Sequence, residues 1–303
     1  MRFAFSGPSV DSAYFRGIGR ALDARGHEVA FPVAIAGGEG FDVVVEAGGL
    51  DRAAADVPGR PLRILWDVDA PAPLGRMERA PDDSLRDLLP AYDLVLTDGG
   101  GGDRLVRRYE ALGARECIPV HHALDPDVHH PVPPRQDLRA DLALLADRLP
   151  DREARVEELF FRTVEALPDR TFLLGGSGWD DRVRGLPNLR YLAHVPPRDR
   201  NAVHCSALAV LSVTREDVFA AAGAGACLIS DAWPGIEHFL RPCKEVKLVR
   251  HGDDVAEWVR DLDADEARRC GDAARERMLA EHTYGHRAEQ FSALWSRVET
   301  WPR

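Results

Sequence analysis

Three groups of residues in this chain have types and spacings that suit chemistry. The first lies in VFAAAGAGACLISDAWPGIEHFL, residues 218–240. Ala226 to Ser230 reads as a buried parallel strand, Asp231 to Gly235 as a loop, and Ile236 opens a new helical pattern. A helix start after a strand presents free backbone N–H groups, so Ser230 to Gly235 suits a phosphate. Glu237, in the first turn, can take two ribose hydroxyls or simply complement the helix dipole.

The second group is cationic and Gly-rich. GGSG (175–178) follows an apolar run, and Gly176 lets a backbone approach a ligand closely. Arg148 and Arg152 flank the loop after another apolar run, and Arg215 follows LAVLSV. A guanidinium fork binds two phosphate oxygens, although any one Arg in so Arg-rich a chain reads equally as a surface residue. GGSG is not GxGxxG and has no clear acidic partner about 20 residues on, so a dinucleotide fingerprint is incomplete.

The third group lies in the first half. Asp67 and Asp69 in WDVDAP share one side of an extended chain. They could accept bonds from one ligand, act as a base or hold a hard cation; a solvated turn explains them too. His121, His122, His129 and His130 form two adjacent pairs, which point apart in extended chain and lack a third ligand at fixed spacing. No metal site is expected from them, and a role in a hinge or cleft is. TDGGGG (97–102), centred near Gly100, and the polar loop ending at Ser12 complete the set.

The elements that must position these residues alternate strand and helix. Apolar runs at 2–6, 27–31, 41–46, 62–66 and 92–97 predict strands in the first half, with a helix from Ala13 to Arg25. Runs at 142–145, 171–174, 189–192, 208–213, 226–230 and 245–249 predict strands in the second half. Helices are expected over 151–167, 254–262, 265–280 and 284–300. This rhythm implies parallel sheets covered by helices, with ligands outside the carboxyl ends of the strands. A Pro-rich segment, 126–136, reads as a linker between a domain at 1–125 and one at 137–282, with a last helix over 283–303.

Composition narrows the function classes. The chain has 303 residues, is 45% hydrophobic and 29% charged, and carries a formal charge of −11. It is long enough for two globular domains. The acidic balance argues against a nucleic-acid partner. No apolar run approaches a membrane span, and MRFAFSGPSV reads as a strand rather than a signal peptide. Five widely spaced cysteines with no CxxC make a cytoplasmic location the expectation. The Ala- and Arg-rich usage suggests a high-GC, bacterial genome.

Several ungapped stretches resemble one family in the same order. FAAAGAGACLISDAWPGIEHFL, EVKLVRHGDDVAEWV and RERMLAEHTYGHRAEQ are similar to the C-terminal half of GT-B glycosyltransferases, with the CgeB-like (spore maturation protein) subgroup nearest. PLRILWDVDAP, YDLVLTDGGG and LDPDVHHPVPP have counterparts in the first half. The resemblance implies an α/β fold of two Rossmann-like domains facing across a cleft, with a C-terminal helix crossing back to the first. It implies a nucleotide-diphosphate sugar as donor substrate, no resident cofactor, no metal, and an acceptor of unknown identity. The donor would meet Arg152, Gly176, His194, Val195, Arg215, Ser230, Gly235, Ile236 and Glu237. The acceptor side would include Ser12, Asp67, Gly100 and His121, with Asp67, Asp69 and His122 as candidate bases.

The chain also departs from the pattern. Ala220 stands where the family has the Glu of F-E-A, and Ala224 to Cys227 replace C-G-T-P. These changes fall on the donor side. They leave open an unusual donor, donor contacts from other residues, or a nucleotide- or glycan-binding protein with weak or no transfer activity.

Overall fold

In the computed structural model, residues 1–7, 12–32, 40–47, 61–67, 86–97 and 103–298 are described. Apolar runs that lack polar alternation must be buried on both faces, and parallel strands satisfy that requirement. All the strands expected in the two halves are present, and their pairings are parallel. The chain divides into two compact units, Met1–Ala123 with Tyr284–Arg303, and Leu124–Thr283.

The first unit holds a six-stranded sheet in the order β2-β1-β3-β4-β5-β6. Its strands are β1 (Arg2–Ser6), β2 (Glu28–Ala30), β3 (Val43–Ala47), β4 (Leu62–Asp67), β5 (Leu94–Thr97) and β6 (Cys117–Pro119). The sequence reading missed β6. Its Pro119 is tolerated because β6 is an edge strand, with one side of its backbone outside the sheet. Helices α1 (Ala13–Asp23) and α2 (Asp103–Ala111) belong to this unit.

The last helix, α8 (Tyr284–Val298), also packs here. Its Phe291 stacks on Trp66 with ring centroids 5.6 Å apart. Trp66 is fully buried and meets Tyr14 and Phe15 edge-on, so β4, α1 and α8 share one aromatic centre. Gly17 leaves the space that the Tyr284 ring fills against α1.

The second unit holds a six-stranded sheet in the order β12-β11-β10-β7-β8-β9. Its strands are β7 (Ala140–Leu145), β8 (Phe172–Gly175), β9 (Leu189–Leu192), β10 (Ala207–Ser212), β11 (Leu228–Asp231) and β12 (Lys247–Val249). Helix α3 combines Glu153–Val156, a π-helical stretch Glu157–Phe161, and Arg162–Ala166. Next come α4 (Arg200–Ser206), α5 (Arg215–Gly223), α6 (Gly252–Asp261) and α7 (Ala264–Glu281).

The Pro-rich segment read as a linker lies within the second unit from Leu124 onward. Val128 accepts a bond from Asn201, and the Arg135 amide donates to Ser206. The helix expected from Ile236 is a single 3-10 turn, Ile236–His238. It stops because Phe239 and Leu240 turn into the core and Pro242 follows.

Both sheets reverse their strand order once. In the first unit the chain steps from β1 to β2 on one side and resumes at β3 on the other; in the second, β10 resumes beside β7 after β8 and β9. Such reversal points open a crevice at the strand ends, because the adjoining loops diverge.

Candidate functional site

The reversal in the second unit puts the ends of β7 and β10 side by side. The loop after β7 carries Ala146, Asp147, Arg148 and Arg152; that after β10 carries Thr214 and Arg215. Thr214 caps α5, its hydroxyl accepting the Asp217 amide. Beside β7, the loop after β8 brings Gly176 against the Ala146 carbonyl, with φ +142°. No Cβ fits there, and only glycine adopts that backbone freely. Ser177 is held to Asp147, which accepts both its amide at 2.7 Å and its hydroxyl at 2.8 Å. These bonds, the amide's first, hold the Asp147 carboxyl below the usual carboxylate range.

Ion pairing decides which arginines remain available. Arg148 is occupied, meeting Glu153 at 2.7 Å and Asp181 at 2.8 Å. Arg155 forks onto Asp231 at the end of β11, with contacts of 2.7 and 2.5 Å. That pair ties the start of α3 to the end of β11, and sequence reasoning missed it. Its only signal was Asp231 inside the matched ISDAWPG run. Arg152 instead pairs with its neighbour Asp151, at 3.5 Å, and its buried Nε has no hydrogen-bond partner among the described residues.

Arg215 lies over the Trp233 ring, 5.4 Å from its centroid. This contact joins the loop after β10 to the loop after β11. Trp233, Pro234 and Glu237 line a pocket of about 750 Å³, completed by Leu248 of β12, Arg250 and one face of α6. That face supplies Trp258, Asp254, Glu257 and Asp261. Glu237 is exposed at this pocket. Gly235, at φ +96°, makes the turn that aims the chain into it. Ile236 and Ser230 are fully buried, so each supports the site through its backbone. His194 is exposed, and Val195 is half-buried against Gly175. The expected donor residues thus form two neighbourhoods: Arg152, Gly176, Val195 and Arg215 at the ends of β7, β8 and β10, and Gly235 to Glu237 toward the β12 edge. Trp233 lies between them.

In the first unit, Asp67 ends β4 with only 6% of its surface exposed. The Tyr109 hydroxyl donates to it. Burial, then the neighbouring Asp67 carboxylate, pushes the Tyr109 hydroxyl well above its ordinary value. Asp69 and Gly100 lie outside the described residues. Ser12 caps α1, its hydroxyl accepting the Phe15 amide at 3.5 Å.

His121 and His122 are half-buried, and the His122 ring sits 4.5 Å from that of Tyr14. The carbonyls of His121 and His122 both accept bonds from the buried Arg287 of α8, at 3.0 and 3.1 Å. Burial lowers the Arg287 pKa, and the two carbonyls take two of its donors. Sequence reasoning missed this arginine, which appeared only as part of the matched AEHTYGHR run. Among the described residues no three His, Cys, Asp or Glu side chains gather as a metal site. No helix among them is long and apolar enough to cross a membrane.

Comparison with known proteins bears on this geometry. Residues 152–293 match a family described as glycosyl transferase-like. No curated protein sequence matches the chain. Among solved structures, a sucrose-phosphate synthase from Thermosynechococcus elongatus superposes with a TM-score of 0.69 at 14% identity, over 98% of this chain and 99% of that one. A glycosyltransferase from Rickettsia africae gives 0.69 at 10% identity, over 99% of each chain. HepE from Anabaena, solved with UDP and glucose, gives 0.66 at 13% identity, over 98% of this chain and all of that one. The fold of two parallel six-stranded sheets with helices is that of GT-B glycosyltransferases.

Proposed function

We propose that this chain is a glycosyltransferase that moves a sugar from a nucleotide-diphosphate donor to an acceptor, and that it belongs to the CgeB-like subgroup. The observation that carries the reading is the cationic loop set at the β7–β10 reversal, where Arg152 keeps an unpartnered Nε, within the stretch matched by the family. A diphosphate is the chemistry that such a site lacks. Guanidinium groups of Arg152 and Arg215 would take phosphate oxygens and stabilise the charge that grows on the leaving group. Close backbone approach at Gly176 would let amide donors reach the same oxygens. Glu237 would accept the ribose hydroxyls, with Trp233 as an apolar wall between ribose and diphosphate. HepE, of the same fold, is solved with UDP and glucose, which supports a nucleotide sugar as the ligand class.

The acceptor is assigned to the first unit. If the anomeric centre inverts, a base must take the acceptor proton. Asp67 already accepts from Tyr109, which makes Asp69 and His122 the stronger candidates. If configuration is retained, a donor phosphate oxygen can serve instead. Arginines supply the positive charge, so the reaction is assigned no metal. The five free cysteines support a reducing, cytoplasmic location.

One departure supports a second reading. Ala220 on α5 offers no group to a sugar hydroxyl where the family carries Glu, which favours a nucleotide or glycan binder of the same fold. Incubation with a panel of nucleotide sugars separates the two. Release of nucleoside diphosphate from one of them supports transfer; binding without release across the panel supports the binder. No shift in melting temperature with any nucleotide sinks the transferase and the nucleotide binder alike.

A further inference from the structure

We propose that Cys227 and Cys270 form a buried dithiol, and that a hydroperoxide converts it to a disulfide joining α7 to the start of β11. Both side chains belong to one core cluster and are 2% and 3% exposed. The backbones that carry them touch. Gly271, next to Cys270, lies directly on the Gly225 carbonyl, leaving no room for a Cβ. The flanking Ala226, Leu228 and Ala274 face a different core cluster, so Cys227 and Cys270 both turn to the same side of this backbone contact.

The surroundings are not those of inert buried cysteines. Lys247 is 4% exposed, and its ammonium pairs with Glu266 at 2.6 Å, one helical turn before Cys270. It also lies 4.2 Å from the Trp258 ring. The neighbouring Cys227 thiol and, against the effect of burial, the Lys247 charge favour the Cys270 thiolate, whereas the Cys270 neighbour and burial push the Cys227 thiol up. One sulfur therefore acts as nucleophile and the other supplies the resolving thiol.

The chemistry balances with a hydroperoxide as oxidant. The Cys270 thiolate attacks a peroxide oxygen, forming an S–O bond as the O–O bond breaks; the departing hydroxide takes a proton and leaves as water. Cys227 then attacks the Cys270 sulfur, an S–S bond forms, the S–O bond breaks, and the Cys227 proton leaves with the second hydroxide as water. Two thiols lose two electrons, and hydrogen peroxide becomes two waters. Hydrogen peroxide is small enough to enter through local opening, whereas a bulky disulfide is not. The bond would close a long loop between β11 and α7, which restricts the unfolded chain.

The test uses the full chain with hydrogen peroxide, followed by alkylation under denaturing conditions and peptide mapping without reductant. A linked Cys227–Cys270 peptide, lost on dithiothreitol treatment and accompanied by a higher melting temperature, is the expected result. Cys270→Ser should abolish the link, while C243S, at an exposed cysteine, should leave it intact. If Cys227 and Cys270 both remain alkylatable while Cys243 is oxidised, the proposal is wrong. Because the map of the unsubstituted chain decides the question, a poorly folding variant does not obscure it. The readout is also independent of sugar transfer.

Discussion

His204 gives a quantitative test of the second unit's interior. It lies on α4, is 3% exposed, and its Nδ1 has no partner among the described residues. Burial lowers its pKa from 6.5 to about 3, with further lowering from the positive charges of Arg200 and His129. The folded chain therefore keeps this imidazole neutral at pH values where the unfolded chain protonates it. The sign follows from proton counting: as pH falls through 6.5 the unfolded state gains a proton that the folded state refuses until about 3, so stability is lost across that window. At pH 5, the single-site linkage term is roughly 2 kcal/mol relative to pH 8.

The substitution His204→Leu removes the titration while keeping a side chain of comparable size. Urea denaturation of both proteins at pH 8 and pH 5 gives a double difference in which the titrating groups remote from His204 cancel. The unsubstituted chain should lose about 2 kcal/mol more than the variant between the two pH values. An identical pH dependence in the two proteins would refute the reasoning, because it would mean that His204 protonates as readily in the fold as in the open chain.

Arg152→Ala should weaken binding of a nucleoside diphosphate about tenfold or more, with a smaller effect on the nucleoside, measured by calorimetry. Equal losses for the two ligands would move the diphosphate elsewhere. Glu237→Ala should lower affinity for the nucleoside as well, by about 1–2 kcal/mol, and an unchanged nucleoside affinity would remove Glu237 from the ribose site. Gly176→Ala should destabilise the second unit by about 2 kcal/mol or more, because its Cβ would overlap the Ala146 carbonyl at a backbone angle that alanine avoids. A melting temperature equal to that of the unsubstituted chain would count against this packing.

The sheets were legible because burial on both faces leaves a plain mark: VVVEA and LALL have no polar alternation to hide them. The elements that escaped do not carry that mark. β6 is three residues long and ends in proline, which an edge strand tolerates. Helix α4, RNAVHCS, is short and mostly polar, and buries Asn201 and His204 against its neighbours. The segment 126–136 has a linker's composition because proline cannot join a helix or a central strand. Here side-chain and amide bonds to Asn201, Cys205 and Ser206 hold it on the second unit without either.

Arginine function is harder to read from a sequence than arginine position. Arg148, Arg152 and Arg155 lie within one short stretch and look interchangeable as letters. Their roles separate only when the carboxylates around them are counted: Glu153 and Asp181 occupy Arg148, Asp231 occupies Arg155 on two oxygens, and Arg152 retains donor capacity. The proposed diphosphate site is compatible with a net charge of −11. A phosphate responds to unneutralised charge within several ångströms, since solvent and salt screen the distant acidic surface. Neutralising Arg155 with Asp231 fixes the loop geometry while contributing no net charge. Arg152 keeps a donor without a partner among the described residues, and Arg215 lies over the Trp233 ring, which shields one face of that guanidinium from water. Selectivity for a diphosphate over a single carboxylate would follow, because two cations on loops from different strands need a ligand long enough to reach both.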